Sequence, residues 1–274
     1  MGDVRRAWDG GLMSLFLQRA GFMNAPLYFL DTYPNASAAY SLRVLSSDFA
    51  SSDLVTVRRS SDDAELGFTA TEITDGTLTT WTGANDGFVK TWFDQSGNGL
   101  NATQTVLGDQ PKLVLSGVLN VQDEKPAIKF GTGVSNTPLE YTLSGARPFT
   151  DFIVAKRLVT GVTDYLRDTT KRNIIGENQN FGLGTFNGIW LRQLGFNTTS
   201  QQLIYSYSNS TSSLFAVNGG TAASGDSGLF SFGGTVFIGK SFYGHMFEMI
   251  TYLSDQTANR AVFEANINDH YGIY

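Results

Sequence analysis

Short apolar runs alternate with polar residues over most of this chain, and clusters of Gly, Asn, Asp and Ser punctuate them. That period-two pattern with turn-forming breaks predicts many short β-strands. Strands are expected over 39–44, 54–59, 87–93, 112–115, 127–130, 152–155 and 173–175, and again over 181–183, 188–191, 203–207, 214–217, 236–238 and 245–252. Asn218-Gly219-Gly220 has the composition of a tight turn, because Asn and Gly tolerate positive φ. No internal repeat of fixed period is present, so one sandwich is expected rather than a solenoid or propeller.

Two stretches depart from the alternation. Near the end, Phe263, Ile267 and Tyr271 recur every four residues, which predicts a helix with an apolar seam. Ser254 is its expected cap, Asp255 favours its first turn, and Gly272 is its natural stop. At the other end, residues 1–34 read as an arm ahead of a body spanning 35–274. Trp8, Leu12, Phe16 and Phe22 give this arm an apolar character that must be covered, either by its own body or by a partner in a larger assembly.

Composition narrows the function classes. The chain has 274 residues with 20 Phe, 11 Tyr and 4 Trp, enough aromatic surface for a substantial core. Charged residues make up only 16%, so solubility rests on hydroxyl and amide side chains. The net charge of −6, with no basic stripe, argues against nucleic acid as a partner. Zero cysteine removes disulfides, thiolate metal sites and cysteine nucleophiles together. No apolar stretch approaches membrane-spanning length. Leu12–Leu17 is interrupted upstream by Asp9-Gly10-Gly11 and lacks a clear cleavage site, so a signal peptide is not expected. Four Asn-x-Ser/Thr matches, beginning at Asn35, Asn101, Asn197 and Asn209, are read as chance in a Ser/Thr-rich chain.

Three blocks then carry a resemblance: Ala38-Ala39-Tyr40-Ser41-Leu42-Arg43, Val57 to Asp62, and Thr91-Trp92-Phe93-Asp94-Gln95-Ser96-Gly97-Asn98-Gly99. The ending adds Phe237-Ile238-Gly239, Tyr243 to Glu248 and the closing helix. Together they resemble the concanavalin A-like (laminin-G-like) jelly rolls, and more closely the catalytic-domain fold of the α-L-arabinofuranosidase B family. The resemblance implies an all-β jelly-roll β-sandwich with a short C-terminal helix. Related modules in bacteriophage structural proteins imply a second setting, a fibre, decoration or receptor-facing role.

The same resemblance implies where chemistry would sit. Its nucleophilic Glu corresponds best to Glu177, in Asn173 to Asn178, while the expected acid/base position reads Gly239-Lys240-Ser241 and offers no carboxyl group. With one carboxylate in hand where a retaining hydrolase needs two, the expectation is a non-enzymatic virion protein. The arm would tether it to other virion proteins; a homo-oligomer, trimeric by preference, is expected, with a host-surface glycan as a candidate ligand. The alternatives are an arabinofuranosidase-like hydrolase and a secreted carbohydrate-binding domain. Trp190, Tyr205 and Tyr207 are the candidate sugar-stacking residues; core packing is the competing role. Asp94, Gln95 and Asn98 form the densest polar cluster, either a self-bonded turn or oxygen ligands for a cation or sugar. His245 and His270 lack metal-ligand spacing, and no nucleotide or cofactor motif occurs, so neither metal nor cofactor is expected.

Overall fold

The computed structural model describes residues 27–131, 138–159, 164–169, 174–177, 183–193 and 199–274. The arm residues Trp8, Leu12, Phe16 and Phe22 lie outside the described residues.

Two antiparallel sheets face each other. Along the first, neighbouring strands run Trp190–Gln193, Leu183–Phe186, Ile174–Glu177, Asp164–Thr169, Phe232–Ile238, Leu139–Gly145, Ala102–Thr103, Gly87–Trp92, Val55–Arg59 and Glu65–Phe68. The second runs Ala223–Gly225, Ser213–Val217, Gln201–Ser208, Phe149–Arg157 and Gly244–Tyr252. Ala38–Ser41 and Ile128–Phe130 share its far edge. The strand Lys112–Leu115 joins the two sheets by pairing with both Ile128–Phe130 and Gly87–Trp92. The all-β sandwich expected from the sequence is therefore the observed fold.

The main core lies between the sheets. Leu139, Tyr141, Leu143, Val236 and Ile238 face it from the first, and Phe149, Ile153, Met246 and Met249 from the second. A second core lies on the outer side of the second sheet, where Phe152, Tyr205, Phe247, Ile250 and Tyr252 meet the C-terminal helix Arg260–Tyr271. Being covered on both faces, the strands Gln201–Ser208 and Gly244–Tyr252 are buried at every position. That explains why their sequences do not alternate cleanly.

Several elements differ from expectation. The helix begins at Arg260 after a 3₁₀ turn, so Ser254 does not cap it; Asp255 instead accepts from the Thr257 amide. Its seam is as expected: Phe263, Ile267 and Tyr271 are buried, and Gly272 ends it at φ 64°. Phe29–Thr32, within the segment read as arm, is a helical turn packed on the body, with Phe29 4.9 Å from the Phe263 ring. Two short helices, Ala70–Thr74 and Thr77–Thr82, interrupt the strands. Thr69 and Glu72 form a reciprocal capping box at the first, a Thr-x-x-Glu signal present in the sequence. The strand Leu139–Gly145 was also missing from the expected set, although its burial alternates strictly over Leu139, Tyr141 and Leu143.

Strict strand alternation would put Glu248 on the same face as Met246. A bulge intervenes: Val154 pairs with Glu248 and Ala155 with Met246, leaving Phe247 as the extra residue. Met246 thus enters the main core, while Phe247 packs beside Tyr271 and Glu248 hydrogen-bonds it on the helix side.

Candidate carboxylate site and polar turn

Glu177 is the last residue of its strand and Asp164 the first of the neighbouring one. The antiparallel register pairs them directly. The register therefore sets a second acidic residue across the ladder from the one the sequence offered. Thirteen positions separate the two in the chain, and only strand pairing brings them together. Segments 160–163 and 178–182, which flank them, lie outside the described residues.

The segment expected to hold the acid/base residue is occupied differently. Lys240 Nζ lies 3.2 Å from Asp168 Oδ2 and 4.5 Å from the centre of the Phe237 ring. The Thr169 amide donates to Asp168 Oδ1 at 2.7 Å. Both oxygens of Asp168 are committed, which leaves Asp164 as the better counterpart for Glu177.

The three aromatic candidates separate. Tyr205 and Tyr207 are buried in the second core. The Tyr207 hydroxyl donates to Asp255 and accepts from Asn209. Trp190 is half-buried on the first sheet, 5.2 Å from Phe186, with the Arg192 guanidinium 5.0 Å from its ring centre.

The Asp94-Gln95-Ser96-Gly97-Asn98-Gly99 turn ties distant backbone together. Asp94 accepts from the amides of Ala39, Ser96 and Leu100 and from the Ser96 hydroxyl. Gln95 Oε1 accepts from the Leu45 amide, and its Nε2 donates to the Ser41 and Arg43 carbonyls. Asn98 Nδ2 donates to the carbonyls of Ala36 and Ser37. Positive φ at Gly97 and Gly99, 86° and 69°, lets the chain close this tightly. Among the described residues, no group of three or more His, Cys, Asp or Glu is arranged to hold a metal ion.

Glu248 and the two histidines have identifiable electrostatics. Arg43 grips Glu248 through two bonds of 2.7 and 3.0 Å, with Ser41 donating to the same carboxylate. His245 is held down to about 4 by burial and by Lys129 and Lys156. His270 is likewise lowered to about 4, by burial and by Arg43.

No family model matches the sequence, and no curated protein matches it. Solved structures of similar fold do exist. A GH54 α-L-arabinofuranosidase soaked with a cyclic sulfate inhibitor superposes with a TM-score of 0.60 at 15% identity. An arabinofuranosidase complexed with arabinofuranosyl-α-1,2-xylobiose superposes with a TM-score of 0.57 at 15% identity. In both cases the match covers 84% of this chain and 62% of the other. The chain thus corresponds to less than two thirds of those enzymes, and likeness at this identity establishes the fold. The expectation of a non-enzymatic virion protein is corrected here: the matching structures are sugar-cleaving enzymes, and none of those reported is a particle protein.

Proposed function

We propose that this chain is a carbohydrate-active domain of the glycoside hydrolase type, directed at arabinofuranosyl linkages. The observation that carries this reading is the direct pairing of Asp164 with Glu177 at the end of two adjacent strands. The similarity to arabinofuranosidase structures supports the choice of sugar.

In this reading Glu177 is the nucleophile, as the resemblance implies, and Asp164 the acid/base. Asp164 protonates the leaving glycosidic oxygen as Glu177 attacks the anomeric carbon and displaces it. Water, deprotonated by Asp164, then releases the sugar from Glu177 with overall retention. The test is turnover of 4-nitrophenyl α-L-arabinofuranoside. Glu177→Gln and Asp164→Asn should each lower kcat by at least about a hundredfold, within the usual range for general acid–base groups. Nucleophile loss in Glu177→Gln should be rescued by azide with inversion. Wild-type protein that leaves this glycoside and arabinoxylan intact would sink the reading.

A further inference from the structure

A cavity of about 600 Å³ opens at the far end of the sandwich from Asp164 and Glu177. Its position follows from the strands. The Gly239 amide donates to the Leu166 carbonyl, which sets the start of Asp164–Thr169 beyond the Leu139 end of the neighbouring Phe232–Ile238 and Leu139–Gly145 pair. Leu143 lines the cavity, four residues or roughly 13 Å further along the same strand.

Its floor is apolar, formed by Leu100, Leu143 and Leu253. Its rim carries amides and hydroxyls from Asn35, Ser37, Ser96 and Asn98. None of the lining residues is charged. Asn98 uses Nδ2 for the backbone bonds that hold the turn, while its Oδ1 accepts nothing among the described residues. Asn35 is exposed, and its side chain makes no hydrogen bond among the described residues. The Asn98 amide is fixed in place by the bonds of its own turn, and a backbone at φ 66° sets where the Asn35 side chain leaves the chain. Pocket volumes of about 300–1,000 Å³ suit small ligands, and a few placed polar groups over an apolar floor give orientation.

We infer that this cavity is a second carbohydrate-binding site, separate from the carboxylate pair, which takes a neutral sugar unit. The leucines cover the C–H face of the ring, while the Asn35 amide, Asn98 Oδ1 and the Ser37 hydroxyl, which accepts from the Leu253 amide and keeps its proton to donate, exchange hydrogen bonds with the sugar hydroxyls. An uncharged lining leaves a phosphate, sulfate or uronate without a counter-charge, so the ligand it fits is uncharged. The choice of pentose probes rests on the proposed function; the neutral-sugar chemistry rests on the lining.

The experiment is a titration of the ¹⁵N-labelled full chain with xylobiose and, separately, with L-arabinose. Amide signals of Ser96 to Leu100 are expected to shift and saturate. Asn35→Gly removes one amide while keeping the positive φ, and should weaken binding about fivefold, the effect of one net hydrogen bond. Leu100→Trp, placed at a half-buried position, should block the cavity. Both variants are expected to hydrolyse the arabinofuranoside normally, whereas Glu177→Gln should lose hydrolysis and keep the Ser96 to Leu100 shifts. Saturation confined to signals outside this turn, or affinity unchanged in both cavity variants, overturns the site. Hydrolysis without these shifts removes this inference and leaves the proposed function standing; shifts without hydrolysis do the reverse.

Discussion

Single residues in this protein are held by partners that lie far away in the chain. Glu248 is 1% exposed at its side chain and is matched by Arg43 at 2.7 Å. Removing the carboxylate by Glu248→Ala strands a mostly buried guanidinium, and about 3 kcal/mol of stability should be lost, measured by chemical denaturation. His245 illustrates a pH effect with a definite sign. Its Nδ1 lies 3.0 Å from Asn120 Nδ2, which donates to it and favours the neutral ring. A folded-state value of about 4 lies below the 6.5 of the free side chain. The unfolded chain therefore takes up the proton first, and stability falls as pH drops from about 6.5 to about 4. A shift of this size corresponds to roughly 3 kcal/mol at the acid end of that window. Denaturation midpoints across pH 7 to 4 should show the decline, and His245→Gln should reduce it, leaving the share of His270, which is lowered in the same direction.

At the level of elements, the two sheets are joined by more than apolar packing. Arg167 on Asp164–Thr169 reaches Asp151 on Phe149–Arg157 at 2.8 Å, and both side chains are fully buried. Thr251 donates to the other Asp151 oxygen at 2.7 Å, and the Phe232 ring centre lies 5.1 Å from the guanidinium. This ion pair fixes the strand that carries Asp164 against the opposite sheet. Asp151→Ala should cost about 3–5 kcal/mol, whereas Asp151→Leu combined with Arg167→Met should cost less, because a buried charge is then no longer left behind. A comparison of the two by urea denaturation decides the point. The bulge at Phe247 is the matching device on the second sheet, since it lets consecutive residues serve the helix side and the main core.

For the molecule as a whole, the two proposed sugar sites sit at opposite ends of one sandwich. The carboxylate pair occupies strand ends, and the neutral cavity surrounds the Asp94 to Gly99 turn. At 15% identity to the arabinofuranosidases, the likeness establishes a shared fold. Loss of turnover in Asp164→Asn, with the melting temperature unchanged, would separate a catalytic carboxylate from a structural one.

The sequence alone determined the sandwich, the late helix seam and the polar turn, because local periodicity and turn chemistry are written in neighbouring residues. It marked Glu177 and left that residue without a partner. Strand register is a long-range property, so only the tertiary structure could set Asp164 opposite it. The same holds for the burial of Tyr205 and Tyr207: a strand covered on both faces is decided by what packs on it, here the C-terminal helix.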